Sequence, residues 1–181
     1  MSARKMNQTV VAVCLLLAAA VTVLYWPITG HGFIYYDDPR YIFENSHVSS
    51  GLTWDGLRWS FQCGYASNWH PLTWISHMVD CTLFGLDPAG HHFMNLLFHA
   101  GNTVLLFLLL TTTTGSLWRS AFVAALFACH PLHVESVAWA SERKDVLSVF
   151  FGLLTLIAYV RTLTPSLSHR MGEGARRAGE G

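Results

Sequence analysis

The chain has 181 residues, of which 52% are hydrophobic and only 12% are charged. Eleven basic and eleven acidic side chains cancel, so no excess charge of either sign indicates a nucleic acid or another polyanion as a partner. The apolar residues stand in unbroken blocks, which argues against a water-soluble domain and predicts a polytopic membrane protein.

Four apolar blocks predict an all-α fold with about four transmembrane helices. The first block follows Arg4 and Lys5, carries no charge and exceeds the usual apolar length of a signal peptide, so we interpret it as an uncleaved span. The predicted spans are residues 9–27, 92–113, 118–131 and 145–161. Together with a long loop over 28–91, they form a predicted membrane domain of residues 9–162.

The basic residues predict the orientation of these spans. With residues 1–8 in the cytoplasm, that side of the membrane holds most of the arginines and lysines, as insertion prefers. Those residues are Arg4, Lys5, Arg119, Arg161, Arg170, Arg176 and Arg177. Both termini are then cytoplasmic and the loop 28–91 lies outside. The membrane is the bacterial inner membrane, or the endoplasmic reticulum in a eukaryote.

Two adjacent carboxylates, Asp37 and Asp38, open the outer loop in the stretch "FIYYDDPRYI". Further along, Trp54, Leu57 and Phe61 recur at helical spacing, which predicts a short amphipathic helix in the membrane interface. The loop also holds Cys63 and Cys81, which form a disulfide only if the outer compartment is oxidising.

A second amphipathic helix is predicted to begin at Pro71, a residue that suits the first helical position. Its apolar stripe consists of Leu72, Ile75, Val79 and Leu83. Its polar face consists of His70, Thr73, His77 and Asp80. Either that face is solvated at the membrane surface, or the helix covers a site and turns the polar groups inward.

The second predicted span carries a polar stripe in its first half. The stripe consists of His91, Asn95, His99 and Asn102, which recur every three or four residues. Such groups either form hydrogen bonds between helices or line a hydrated cavity. Both interpretations stay open from the sequence alone.

The stretch "HPLHVESVAWASERKD" separates the third and fourth spans. Pro131 should interrupt the helix there. Arg143 and Lys144, followed by Asp145, form either a solvated turn or a receptor for a phosphate, because a guanidinium binds two oxygens and an ammonium adds charge.

Three long stretches of the chain resemble one known family. They begin at "FIYYDDPRYIFENSHVSSGLTW", "NWHPLTWISHMVDCTLFGLDPAGHH" and "FVAALFACHPLHVESVAWASERKD". Over residues 25 to 160 they are similar to the amino-terminal membrane part of tetratricopeptide-repeat proteins related to protein O-mannosyltransferases. That family belongs to the GT-C glycosyltransferases, so the resemblance implies a partial GT-C fold.

The resemblance implies transfer of a sugar, typically mannose, from a polyprenyl or dolichyl phosphate to Ser or Thr hydroxyls of an acceptor protein. The family's catalytic base falls on Asp37 or Asp38, with Asp37 slightly favoured. Arg143 and Lys144 would offset charge on the leaving phosphate. Residues expected to line the donor pocket are His91, His99, His133, Glu135 and Asp145. No cofactor is assigned, although a divalent cation is compatible with this chemistry, and the oligomeric state is left open.

The chain also departs from the family. Helical repeats are not found in it, and residues 163–181 read as a disordered, basic, Gly-rich tail, so we expect a truncated protein. The first alternative is therefore an inactive remnant or a membrane interaction module.

The second alternative is a metal-dependent membrane enzyme. His130 and His133, or His91 and His92 with His99, have spacings that a helix uses for ligands. Pro131 interrupts the first pair, and we assign no metal ligand from the sequence.

Overall fold

A computed structural model describes residues 3–62 and 64–178, with side chains over 6–62 and 64–163. Every regular element in this part of the chain is helical, so the chain is the expected all-α membrane protein. The helices are α1 (Ala3–Tyr25), α2 (Ser46–Ser49), α3 (Trp54–Gln62), α4 (Pro71–Phe84), α5 (Pro88–Thr114), α6 (Leu117–Cys129), α7 (His133–Ala138) and α8 (Arg143–Ala178).

Three segments are long and apolar enough to cross a membrane, namely Met6–Gly30, Pro88–Thr114 and Ala140–Leu163. The third predicted crossing, residues 118–131, corresponds to α6, which has 13 residues. At 1.5 Å per residue it is about 20 Å long, less than the roughly 30 Å of a hydrocarbon core. As expected, the helix stops before Pro131, and α7 begins two residues after it.

Helix α5 is the centre of the bundle and contacts α1, α6 and α8. One apolar cluster joins Val21 of α1 to Leu96 of α5 and Val146 of α8. Nearer the other end, Leu17 of α1 packs with Phe107 of α5. The opposite face of α1 carries large exposed aliphatic side chains, as expected for a helix surface that faces lipid.

The loop over residues 28–91 is largely helical and packs against the bundle. The predicted helices at Trp54 and Pro71 are confirmed as α3 and α4. Residues Thr73, His77 and Asp80 of α4 are buried, whereas its apolar residues Leu72 and Leu83 are half or more exposed. The structure therefore supports the second interpretation of this helix, in which most of its polar face turns inward.

Two predictions concern residues that the structure describes in part or not at all. The pairing of Cys63 with Cys81 involves Cys63, which lies outside the described part of the chain. The disordered tail is predicted for residues 163–181; the backbone is described as part of α8 as far as Ala178, no side chain after residue 163 is described, and the disorder stays a prediction.

Gly90 lies where α5 passes closest to the end of α4. A Cβ atom at Gly90 would lie 2.5 Å from the Cβ of Phe84, so one of the two helices would have to move. We expect Gly90→Ala to lower the free energy of unfolding by about 1–3 kcal/mol, as overpacking does elsewhere. Thermal unfolding in detergent micelles measures this change.

The matched control is Gly152→Ala in α8, where a new Cβ meets no atom within 4 Å. This variant should be neutral or more stable by up to about 1 kcal/mol, because alanine favours a helix. Adding Phe84→Ala to Gly90→Ala should recover part of the loss. Equal effects of the two glycine variants would contradict the predicted clash.

Candidate functional site

Asp38 joins the loop over residues 28–91 to the turn that precedes α8. Its side chain is fully buried, and its Oδ2 accepts the Ile34 N–H at 2.7 Å. Its Oδ1 accepts the Ser141 N–H at 3.0 Å and also the Ser141 hydroxyl. Both carboxylate oxygens of Asp38 are therefore engaged in holding backbone, which is a positioning role.

Asp37 is the more accessible of the two carboxylates, with a half-buried side chain. It lies near the phenol of Tyr41, whose pKa is raised mainly by burial and also by Asp37 and Glu142, while Lys144 opposes the shift. The charges of Asp37 and Lys144 thus both influence the Tyr41 phenol, in opposite directions. The structure brings the carboxylate loop next to the basic turn.

Arg143 is the centre of a fully buried polar cluster. Its Nη2 donates to Asp80 Oδ2 at 2.7 Å and to the His91 carbonyl oxygen at 2.8 Å. Its Nε donates to Asn95 Oδ1. Since the side chains of Arg143 and Asp80 are both 0% exposed, this ion pair is shielded from water.

Burial perturbs the groups of α4 in this cluster. It raises the pKa of Asp80 to about 6, although the positive charge of Arg143 opposes the shift. Burial, followed by the charge of Arg143, lowers the pKa of His77 well below its ordinary value. His77 is therefore neutral at pH 7.

The polar stripe of α5 bonds to the backbone of the elements around it. Asn95 Nδ2 donates to the carbonyl oxygens of Val137 at 3.2 Å and Trp139 at 2.9 Å. Asn102 Nδ2 donates to the Val146 carbonyl oxygen at 2.8 Å, and His99 Nε2 lies 3.2 Å from the Ala128 oxygen. Hydrogen bonding between helices, the first interpretation of this stripe, is therefore present.

The second interpretation, a cavity wall, applies to the end of the stripe. A cavity of about 220 Å³ is lined by His99 and Asn102 of α5. His133, Ser136 and Asp145 line its other side. Three of the predicted site residues thus meet there, namely His99, His133 and Asp145.

A larger groove of about 720 Å³ lies between α3, α4 and the first turns of α8. Its apolar walls come from Phe61, Trp69, Pro71, Leu72, Leu147 and Phe151. Its polar groups are His70, Thr73, Lys144, Asp145 and Ser148. A long apolar groove with an ammonium group beside it suits an amphipathic ligand with an anionic head.

The basic turn is divided between two environments. The Arg143 guanidinium points into the buried cluster with His91, whereas Lys144 lines the groove and pairs with Glu142 at 2.6 Å. The two cations do not meet at one point. Glu135 is exposed and lines neither of the two cavities described above.

Ser141 carries no sequence signal strong enough to single it out. Ser141 follows Asp38 by 103 positions and looks like an ordinary turn residue. His77 and Asp80 do carry a signal, since a spacing of three places them on one face of a helix. That pattern predicted a shared face but not their pairing with Arg143 and His91.

Comparisons with known proteins identify a related group. The chain is 34% identical to the protein O-mannosyl-transferase Tmtc2 of Drosophila melanogaster over 82% of its length and 16% of that protein. It is 32% identical to Tmtc1 of the same species over 80% of its length and 18% of that protein. The human protein O-mannosyl-transferase TMTC3 is 31% identical over 84% of the chain and 17% of its own length.

No protein-family model matches the chain, and no solved structure matches it significantly. The chain spans about a sixth of the length of the curated relatives it matches. Over about four fifths of its own length, its sequence makes it a homologue of the Tmtc group of protein O-mannosyl-transferases.

Proposed function

We propose that the chain is the donor-binding and base-carrying part of a membrane glycosyltransferase that moves a sugar, typically mannose, from a polyprenyl phosphate to Ser or Thr hydroxyls of proteins. The observation that carries the proposal is the apolar groove with Lys144 on its side and the Asp37 loop next to it. The activity for which the relatives are named, protein O-mannosyl transfer, supports mannose as the transferred group and protein hydroxyls as the acceptor class.

The groove has the chemistry of a polyprenyl phosphate site. Its apolar walls fit an isoprenoid chain, and the Lys144 ammonium offers charge to a phosphate. The Tyr41 ring lies 5.5 Å from the ring of His70, measured between centroids, and His70 lines the groove. Tyr41 thus connects the groove to Asp37.

The roles of the two carboxylates follow from their surroundings. A base must reach an acceptor hydroxyl, and the half-buried Asp37 is the accessible candidate. Asp38, with both oxygens bonded, would hold the loop that presents it. His99, His133 and Asp145 remain candidates for contacts with the donor. Arg143 and His91 are buried and would support the site without touching the donor.

A chimera tests the proposal. Residues 1–160 replace the aligned region of a full-length relative, and transfer of radiolabelled mannose from dolichyl phosphate mannose to an acceptor protein is measured. We expect transfer above the level of a donor-free control. In the same chimera, Lys144→Gln should raise the KM for the donor about tenfold, because one charge-assisted contact is worth about 1.4 kcal/mol here.

Two results would overturn the proposal. One is a folded chimera that binds no donor and transfers no sugar. The other is donor binding without transfer, which would assign the chain to a lipid-binding interaction module. An unchanged KM in the Lys144→Gln variant would show that the donor does not bind in the groove.

We also propose that the loop 28–91 faces the outside and that both termini are cytoplasmic. His47 in α2 is exposed, so a His47→Cys variant in a background without the four native cysteines offers a single accessible thiol. A membrane-impermeant maleimide should label it in intact cells or sealed right-side-out vesicles. Labelling that requires lysis would reverse the orientation.

A further inference from the structure

Three buried side chains of α4 and α5 lie close enough together to share a cation. His77 and Asp80 come from α4, and His91 comes from α5. Each offers one ligand atom, and the three atoms all lie within 4.8 Å of one another. Imidazole and carboxylate groups at this separation are the donors that first-row divalent metals use in proteins.

The hydrogen bonds of the cluster are incomplete without a further partner. His77 is 0% exposed, and no described residue bonds to its Nδ1 or its Nε2. Asp80 Oδ1 is buried and likewise has no partner among the described residues. An unpaired buried polar group costs about 1–3 kcal/mol, so unpaired atoms on two adjoining side chains indicate that something binds between them.

The ring of His91 is oriented as a metal ligand would be. Its Nε2 lies 3.4 Å from the carbonyl oxygen of Gly85, and a carbonyl only accepts, so this hydrogen bond requires the tautomer with the proton on Nε2. In that tautomer the unprotonated Nδ1 faces Asp80 Oδ2 at 3.4 Å. Two lone pairs facing each other repel unless a positive species lies between them. Histidine ligands of metals commonly donate their other ring N–H to a backbone carbonyl in this way.

Arg143 limits the charge that the site can hold. It donates to one lone pair of Asp80 Oδ2, so the carboxylate keeps the other lone pair of that oxygen and the unpartnered Oδ1 for a cation. Because Arg143 already balances the charge of Asp80, a divalent cation would be completed by water or an anion in a fourth position. Cys81 Sγ lies 4.0 Å from His91 Nε2, on the protonated side of the ring.

We propose that His77, Asp80 and His91 form a site for a first-row divalent metal ion of the Zn²⁺ class, which fastens α4 to α5. The site is separate from the groove of the proposed donor, so it stands independently of the sugar transfer. Zinc sites in proteins include this coordination, in which three protein ligands leave the fourth position open to water or another ligand.

Metal content tests the proposal directly. The full 181-residue chain is purified in detergent micelles, stripped with EDTA, incubated with Zn²⁺, desalted and analysed by mass spectrometry of the metal. We expect one Zn²⁺ per wild-type chain and a loss of affinity of at least about tenfold in His77→Phe. His99→Phe is the matched control, a buried histidine of α5 outside the cluster, and should keep its zinc.

Thermal unfolding gives a second readout. Zn²⁺ should raise the Tm of the wild type and of His99→Phe but not that of His77→Phe, because a ligand stabilises only the state that binds it. In EDTA, His77→Phe should be at least as stable as the wild type, since it removes two unpaired buried nitrogens.

The proposal is wrong if His77→Phe binds as much Zn²⁺ as the wild type, or if the wild type binds none. Should His77→Phe fail to fold, the wild type loaded with Co²⁺ decides the question. Visible absorption bands of a four-coordinate Co²⁺ support the site, and bands of the free aqueous ion exclude it.

Discussion

Asp37→Asn in the chimera with a full-length relative is expected to lower the rate of sugar transfer by about 10²–10⁴-fold, the usual contribution of a general base. The amide has the size of the carboxylate but cannot take a proton from the acceptor hydroxyl. Because Asp37 is half-buried and the structure assigns its carboxylate no hydrogen bond among the described residues, the variant should fold normally. The rate at saturating donor, together with the Tm, measures both effects.

Asp38→Asn is the informative partner of this variant. An asparagine side chain keeps one acceptor oxygen but directs an NH₂ group at an N–H donor, either that of Ile34 or that of Ser141. We expect a loss of about 1–3 kcal/mol in the free energy of unfolding, with any change in rate secondary to it. Transfer that survives Asp37→Asn and fails in a fully folded Asp38→Asn would exchange the two roles. Transfer that survives both would remove the carboxylates from the chemistry.

Arg143→Met should destabilise the chain by about 3–5 kcal/mol, the cost of breaking a buried ion pair by removing one partner. The substitution leaves the Asp80 carboxylate buried without its cation and leaves Asn95 Oδ1 and the His91 carbonyl without their donor. Thermal unfolding in detergent micelles, followed by tryptophan fluorescence, should show a marked drop in Tm and in the yield of folded protein.

A double variant tests whether the lost ion pair is the cause. Adding Asp80→Asn to Arg143→Met removes the stranded charge and should recover a large part of the stability. Lys144→Met is the surface control, because that ammonium is partly exposed and its pair with Glu142 is worth at most about 1 kcal/mol. If Arg143→Met lowers the free energy of unfolding no more than Lys144→Met does, the buried cluster does not stabilise the fold as the structure indicates.

Local patterns predicted most of the helices. Pro71 marked the start of α4, Pro131 marked the break after α6, and the unbroken apolar blocks located α1 and α5. Helix starts, helix breaks and apolar spans depend on residues that are close together in the chain, so they can be predicted from the sequence. The number of spans was harder to predict, since α6 is apolar but has only 13 residues.

The site was less predictable because its partners are far apart in the chain. Asp38 meets Ser141 across 103 positions, and Asp80 meets Arg143 across 63. Because Asp37 and Asp38 are adjacent in the sequence, as are Arg143 and Lys144, each pair was predicted to act together. In the structure, the two members of each pair have different surroundings. Packing between distant segments decides which member faces inward, because Ser141 holds Asp38 whereas α4 and α5 hold Arg143.

The polar stripe of α5 has a consequence for how the membrane unit is assembled. Hydrocarbon offers no hydrogen bonds to the carbonyls left open where α6 and α7 end. Asn95 donates to two carbonyls at the end of α7, and His99 Nε2 lies within hydrogen-bond distance of a carbonyl at the end of α6. Asn102 donates to a carbonyl in the first turn of α8. The polar groups at the ends of α6 and α7 are thus satisfied by side chains of α5. This segment therefore becomes compatible with the bilayer only after it has packed against α5.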